Sequence, residues 1–317
     1  MKVIDHIRQA KDVLVSFEVL PPLKGKNIAS LYNHLDPLME YNPSFINVTY
    51  HRSEHSFKKR ADGTFEKVVV RKRPGTESIC AAIMNRFKVD AVPHLICGGF
   101  SKEETENALI DLHFLGIDNV LVLRGDNLKH ETSFVPQPDG NQNALELLQQ
   151  VDRMNQGRYM DDELVNATAT NFCIGVAGYP EKHHDAPNLK ADIRWLKQKV
   201  KAGAKFITTQ MFFDNKAYFD FVATCRKEGI DIPIIPGIKP LATLKQITLL
   251  PKVFHIDIPE ALADAVEQAP NEQAVRQIGI EWAIEQCREL KAAGVPVLHF
   301  YTMGKSQATK RIAEAVF

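Results

Sequence analysis

A (β/α)8 barrel of the TIM type is the α/β fold that this sequence predicts, on two regularities. Eight short apolar segments alternate with amphipathic segments along the 317 residues, as strand–helix units do in such barrels. The succession of helix end, glycine and next strand recurs in FLGIDNV, AGAKFI, EGIDIPII and AGVPVL, with the glycine at the usual helix C-terminal position. An open, doubly wound sheet also accommodates eight strands and is the structural alternative.

The predicted strands are short and nearly uniform in hydrophobicity. They are rich in Val, Ile and Phe, which is typical of parallel strands buried on both faces. They cover residues 13–20, 45–50, 91–97, 119–123, 172–178, 206–212, 234–238 and 297–302.

Amphipathic helices are predicted between these strands. Ser101 is a typical N-cap for a helix over residues 103–115, which begins with acidic side chains. Residues 188–202 place an apolar stripe on one face, and residues 215–228 and 271–293 have the same periodicity.

Two connections are longer than a barrel requires, and such loops are usually active-site lids or disordered. Residues 51–74 contain eight Lys or Arg against three acidic residues, and residues 127–140 form the second long connection. No linker or shift in composition divides the chain. We therefore expect a single domain over residues 1–317, with a basic insertion at 51–74.

Composition excludes several classes of protein. The 39 basic and 39 acidic residues cancel, whereas binding to a nucleic-acid backbone requires a basic surface. No apolar run approaches the ~18 residues of a membrane span, and the N-terminus lacks the apolar core of a signal peptide. Five widely spaced cysteines without a CxxC pair indicate buried thiols of a cytoplasmic protein: Cys80, Cys97, Cys173, Cys225 and Cys287.

Polar side chains lie near one end of seven predicted strands, which is where barrel enzymes carry their catalytic residues. Glu18 is the clearest case. A carboxylate in an apolar run is disfavoured, so we expect a raised pKa and a role as general acid or base. The alternative for Glu18 is a structural ion pair at the barrel mouth. Taken singly, His94, Asp126 and Tyr179 also have ordinary explanations as a core histidine, a loop acid and a turn.

Common site motifs are missing from the sequence. It contains neither GxGxxG after the first strand nor GxxxxGK[ST], which argues against a Rossmann site and a P-loop. Without HExxH or a tight His/Cys cluster, no metal site is expected. A GxSxG nucleophile elbow is also lacking.

Eight motifs, in order, resemble the 5,10-methylenetetrahydrofolate reductase family. They are VSFEVLPP, INVTY, PHLIC, VLRGD, YPEKHHDA, TTQMFFD, IIPGIKP and HFYT, and the resemblance extends over nearly the whole chain. It implies the bacterial-type catalytic barrel alone, with FAD as cofactor, NADH or NADPH as electron donor and methylenetetrahydrofolate as substrate. It also implies ping-pong hydride transfer, a supply of methyl groups for methionine synthesis and a homo-oligomer.

The resemblance assigns roles to individual residues. Glu18 matches the family's general acid for folate N10, and Asp126 matches the aspartate beside flavin and pterin. The implied substrate contacts are Gln210, Gln246, Tyr301 and Lys305. The implied cofactor contacts, besides Asp126, are Thr49, Tyr50, His94, Arg124, Gly125, Ala144, Tyr179, His183, Asp192, Trp195, Gln198 and Lys199.

The sequence departs from the family pattern at a few of these positions. Leu250 stands where an aromatic ring stacks on substrate, Lys305 where an arginine contacts folate, and Asn143 where a tyrosine lies near the flavin. Trp195 and Gln198 replace more polar or basic residues. Three functional alternatives stay open: another FAD barrel of the proline dehydrogenase type, a pterin-binding one-carbon transferase without redox chemistry, and an inactive paralogue.

Overall fold

The computed structural model describes residues 1–127, 131 and 133–317, apart from the side chain of His55. Part of the predicted long loop 127–140 therefore lies outside the described residues. Eight parallel strands close into a barrel, each hydrogen-bonded to two neighbours. Because the sheet closes on itself, the predicted (β/α)8 barrel is confirmed and the open doubly wound alternative is wrong.

All eight predicted barrel strands are present, with ends within two residues of the prediction. Around the barrel the order is β1, β2, β5, β6, β7, β8, β9 and β10. Their bounds are β1 Leu14–Val19, β2 Phe45–Val48, β5 Asp90–Ile96, β6 Asn119–Leu123, β7 Cys173–Gly178, β8 Phe206–Met211, β9 Ile234–Ile238 and β10 Val297–Tyr301.

The predicted basic insertion contains an antiparallel hairpin, β3 (Glu54–Lys59) and β4 (Phe65–Val70). The sequence analysis treated this segment as a lid or a disordered loop. EHSFKK gives no sign of a strand, because neither of its faces is apolar enough to produce the alternation on which strand prediction depends.

Helices surround the barrel and cap its lower end. Ser101 begins α4 with a capping box formed with Glu104, as its sequence predicts. The bounds are α1 Val3–Gln9, α2 Ala29–Leu35, a 3-10 helix Asp36–Tyr41, α3 Thr76–Phe87, α4 Lys102–Phe114, α5 Ala144–Asn155, α6 Leu189–Lys201, α7 Asn215–Lys227, α8 Gln246–Phe254, α9 Glu260–Glu267, α10 Glu272–Ala292 and α11 Gln307–Val316.

The strands turn alternate side chains toward the barrel axis and toward the helices. The axis near the amino-terminal ends is filled by one apolar cluster that includes Phe45, Val92, Phe206 and Ile235. From α1, the buried Val3 joins this cluster, and its N–H donates to Oδ1 of Asn119 at 2.8 Å. The lower barrel is therefore a packed core, and space for a site exists only at the carboxyl ends of the strands.

The remaining composition-based expectations concern membranes and thiols. Among the helices of the described residues, none combines the length and the hydrophobicity that a membrane crossing requires. All five cysteines are buried and free, as predicted.

Candidate active site at the barrel mouth

A polar layer lies above the apolar core of the barrel. Glu18 and Tyr301 occupy adjacent positions on β1 and β10, and Gln210 lies near the end of β8. Each is an even number of residues from a core residue of its own strand, so alternation turns it inward. The predicted polar ring at the carboxyl ends of the strands is thus formed by the fold.

Glu18 lies at the centre of a buried polar cluster and is only 8% exposed. The Thr49 hydroxyl donates to its Oε1 at 3.0 Å. Its Oε2 lies 3.4 Å from Nε2 of His94 and 3.6 Å from Nε2 of His299. The carboxylate therefore has a hydroxyl on one oxygen and two imidazoles beside the other.

The predicted raised pKa of Glu18 is wrong. Burial alone would raise it, but the proximity of His94 and His299 and the hydrogen bond from Thr49 together outweigh burial, so the pKa of Glu18 is lowered. The sequence showed the apolar run but not the two histidines, which come from strands distant along the chain. Glu18 is accordingly ionised at neutral pH in the free site.

The two imidazoles differ in their hydrogen bonding. Nδ1 of the fully buried His299 lies 2.8 Å from the Ser16 hydroxyl; with Ser16 donating, the ring proton is on Nε2 and faces Glu18. Asn47 Nδ2 lies 3.3 Å from His94 Nε2, so that nitrogen accepts. Burial lowers the pKa of His94, although the charge of Glu18 opposes this.

The turn after β6 brings Arg124, Gly125 and Asp126 to the barrel mouth. Gly125 has φ +90°, and an added Cβ would lie 3.2 Å from Cβ of Ile96, so only glycine fits this turn. The Arg124 guanidinium pairs with Asp185 and lies 5.0 Å from the centroid of the Phe134 ring. Asp126 is exposed at the mouth.

The loop after β7 and helix α6 supply further predicted cofactor residues. The Tyr179 and His183 rings meet edge to face at 4.7 Å, and the His183 N–H donates to Oδ2 of Asp192 at 2.8 Å. Burial lowers the pKa of Lys199, while Asp192 raises it.

The remaining predicted cofactor residues of α6 and α5 differ in their exposure. Trp195 is 52% exposed and Gln198 is also exposed, so the four predicted residues of α6 divide into an inner and an outer pair. Ala144 is buried at the start of α5, and the departing Asn143 is the N-cap of that helix.

An apolar cleft lies beside this cluster, on the β2–β5 side. It has a volume of about 260 Å³ and is lined by Tyr50, His94, Ile96 and Phe100, among others. The rings of Tyr50 and Phe100 are 5.0 Å apart. The predicted cofactor residues Tyr50 and His94 therefore share one cleft, with Thr49 next to Tyr50 in sequence.

The predicted substrate residues lie on the opposite side of the mouth. The Tyr301 hydroxyl donates to the Thr209 carbonyl at 2.6 Å. Oε1 of Gln246 accepts from the Ala242 N–H at 2.6 Å and caps the start of α8. Lys305 is exposed, whereas Leu250 is 3% exposed and packs in an apolar cluster.

Comparison with known proteins shows the family of this chain. The model of the family "Methylenetetrahydrofolate reductase" matches residues 2–316. The chain belongs to the methylenetetrahydrofolate reductase family. This confirms the resemblance that the eight motifs indicated.

Individual relatives include eukaryotic and bacterial proteins. Methylenetetrahydrofolate reductase 1 of Schizosaccharomyces pombe is 34% identical over 319 residues, which cover 99% of this chain and 48% of the relative. Methylenetetrahydrofolate reductase (NADH) 1 of Arabidopsis thaliana is 33% identical, with 96% and 48% covered. The 5,10-methylenetetrahydrofolate reductase of Pectobacterium carotovorum is 29% identical, with 95% and 89% covered. The chain thus spans about half the length of the eukaryotic relatives.

Solved structures are similar to this family member in fold. A protein from Clostridium thermocellum, described as binding two copies of 5-methyl-5,6,7,8-tetrahydrofolic acid, has a TM-score of 0.56 at 14% identity over 99% of this chain and 98% of that one. Oxaloacetate acetylhydrolase with the inhibitor 3,3-difluorooxalacetate has a TM-score of 0.52 at 10% identity, with 98% and 82% covered. At these identities the likeness shows the fold alone.

Sequence reasoning missed several residues of this family member's candidate site. Lys239 directly follows β9 and, counted from the inward Ile235, faces the barrel axis. Burial lowers its pKa, Glu18 raises it and Lys305 lowers it, so its ammonium belongs to the same electrostatic environment. The lysine of IIPGIKP could have been found by applying the strand-end rule to the seventh predicted strand as well.

A group of imidazoles near the mouth was also missed. The rings of His183 and His184 stack at 4.4 Å, and those of His184 and His255 at 4.7 Å. His183, His184 and Asp185 bring ligand atoms within 4.8 Å of one another, although the sequence analysis found no tight cluster. Nearly parallel rings do not direct their nitrogens at one point, and Asp185 is paired with Arg124.

Proposed function

We propose that the protein catalyses flavin-dependent reduction of 5,10-methylenetetrahydrofolate to 5-methyltetrahydrofolate, with NAD(P)H as electron donor. The observation that carries the proposal is the buried Glu18 cluster with Thr49, His94 and His299 at the mouth of a barrel that belongs to this family. Overall, one hydride and one proton are added to the substrate, and NAD(P)H becomes NAD(P)⁺. Relatives are named for NADH as well as NADPH.

The residues at the mouth suit FAD in chemical character. The Tyr50–Phe100 cleft offers apolar and aromatic walls to a planar ring system. Arg124 and Lys199 are cations suited to a pyrophosphate. Among the described residues, Nε of Arg124 and Oδ1 of Asn127 are buried side-chain atoms without a hydrogen-bond partner, as expected of groups that await a ligand. Bound there, FAD would supply hydride transfer.

Glu18 is the proton donor in this proposal. It is ionised in the free site, so it must take up a proton before it can act as an acid. Substrate binding displaces water from the mouth, which strengthens desolvation and raises the pKa of a carboxyl. A protonated Glu18 then donates to N10, which opens the five-membered ring of the substrate and leaves a cationic methylene at N5.

Asp126 has a different environment and a different role. It is exposed at the mouth, where a carboxylate stays ionised. A fixed negative charge stabilises the developing cation at N5 electrostatically. Two carboxyl groups thus divide the work, because one is desolvated with histidine neighbours and the other is in contact with water.

The colour and redox behaviour of the purified full chain test this function. We expect a yellow protein whose visible absorbance is bleached by NADH or NADPH and restored by methylenetetrahydrofolate, in the alternating order of ping-pong kinetics. A colourless protein that binds a pterin would instead favour a one-carbon transferase. A yellow protein that oxidises proline and ignores folate would favour the proline dehydrogenase type.

A further inference from the structure

The β3–β4 hairpin leaves one of its faces in solvent. Cross-strand pairing sets Phe57 opposite Lys67 and Lys59 opposite Phe65, and directly opposed side chains share a face. Phe57, Phe65 and Val69 are 66%, 66% and 67% exposed. We call these five residues, Phe57, Lys59, Phe65, Lys67 and Val69, the basic–aromatic face.

The hairpin is held to the barrel at its base and by its other face. The Lys24 N–H donates to the Lys72 carbonyl at 2.7 Å, and Arg73 donates to the Pro21 carbonyl. Val68 and Val70, on the opposite face, are partly buried. A two-stranded hairpin alone is marginally stable in water, so covering the basic–aromatic face would stabilise it.

A second exposed segment of the same chain is its chemical complement. Residues 160–165 read MDDELV, and Met160, Leu164 and Val165 are 41%, 52% and 83% exposed. This acidic segment is anchored beside α4, where the Met160 N–H donates to Oε2 of Glu106 at 2.8 Å. It combines three adjacent carboxylates with exposed apolar side chains, as the hairpin combines lysines with aromatic rings.

We propose that this protein self-associates by docking the basic–aromatic face of one copy on the acidic segment of a second copy. Within one chain both surfaces are exposed, so they do not cover each other. Two basic–aromatic faces cannot pack together either, because Lys59 and Lys67 would meet their own copies. Since every copy carries both surfaces, a two-fold dimer can form two such contacts and close.

A charge-swap experiment tests the docking. We expect the wild-type chain to show reversible, concentration-dependent association in sedimentation velocity, weakened by salt. Lys59→Glu/Lys67→Glu and Asp162→Lys/Glu163→Lys should each raise the dissociation constant at least about tenfold, because opposed like charges disfavour an interface strongly. Mixing the two variants should restore association, since each now complements the other.

The matched control is Lys201→Glu/Lys227→Glu, which makes the same change in net charge at exposed ends of α6 and α7; it should associate as the wild type does. Should a variant not fold, amide hydrogen exchange of wild-type residues 57–69 replaces it, and protection should rise with protein concentration. A wild type that stays monomeric, swapped variants that fail to restore each other, or hairpin exchange independent of concentration would each overturn the proposal. Flavin bleaching by NADH is read separately, so failure here leaves the proposed activity unaffected.

Discussion

Oε2 of Glu18 lies 3.6 Å from Nε2 of His299, whose other ring nitrogen is held 2.8 Å from the Ser16 hydroxyl. Within the described part of the chain this Nε2 is buried without a hydrogen-bond partner, so Glu18 is the acceptor toward which it can close. Ser16 and Glu18 are on the same face of β1, two residues apart. One strand thus provides both the carboxylate and the group that orients the imidazole beside it.

Replacing His299 with Phe should shift the pH dependence of folate reduction. His299 helps to lower the pKa of Glu18, so its loss lets that pKa rise. Folate reduction needs protonated Glu18 and falls as pH rises through the pKa. The alkaline limit should therefore move up by about one pH unit, the equivalent of one hydrogen bond to a charged group. NADH bleaching, measured across the same pH series, serves as the internal control. An unmoved alkaline limit would contradict the coupling.

Glu18→Gln should separate the two halves of the reaction. Gln keeps the shape and the Thr49 hydrogen bond but has no proton to give. Flavin bleaching by NADH should be retained, whereas reoxidation by methylenetetrahydrofolate in stopped flow should slow by about 10²–10⁴-fold. Glu285→Gln, on the exposed side of α10, is the control. Normal folate turnover in Glu18→Gln would remove Glu18 from the mechanism.

Asp126→Asn should reduce folate turnover with a different pH signature. The substitution removes the negative charge at the mouth, which costs about 10²-fold in the rate of folate reduction if the charge stabilises a cation. Because Asp126 is not the proton donor, the alkaline limit set by Glu18 should stay in place. Single-turnover rates across pH test this, and an equal loss at all pH values is the expected result.

Lys239→Met should weaken substrate binding more than it slows the reaction. Its inward ammonium lies in the environment of Glu18 and Lys305, where an anionic group of the substrate can be bound. We expect KM for methylenetetrahydrofolate to rise about tenfold with kcat changed little, since one charged hydrogen bond is lost. Lys239→Arg should retain much of the affinity. A KM equal to the wild-type value in Lys239→Met would show that Lys239 does not contact substrate.

Glu181→Gln should stabilise the protein at alkaline pH only. Burial is the main cause that raises the pKa of Glu181 to about 7, against an ordinary value of 4.5. The folded state therefore holds this proton more tightly than the unfolded state, and the wild type loses stability as pH rises from about 4.5 to 7. Urea unfolding should show the variant to be more stable at pH 8 and equal to the wild type near pH 4. Greater stabilisation at acid pH would have the wrong sign.

The barrel itself is largely determined by the sequence. Each of the eight parallel strands is buried on both faces, so its residues are apolar throughout, and that signal is local. Ser101 and the C-terminal glycines of the helices are local signals as well. By contrast, β3 and β4 are exposed, and their sequence carries no such pattern.

The site divides in the same way. The sequence placed Glu18, His94, Asp126 and Tyr179 at strand ends, because the position of a polar residue within an apolar run is visible along the chain. Which of them meet was decided by the closed barrel, which brings β1, β5 and β10 within a few ångströms of one another. That closure sets His94 and His299 beside Glu18 and reverses the expected direction of its pKa shift. Electrostatic energies depend on distance in space, and the linear sequence does not contain that distance.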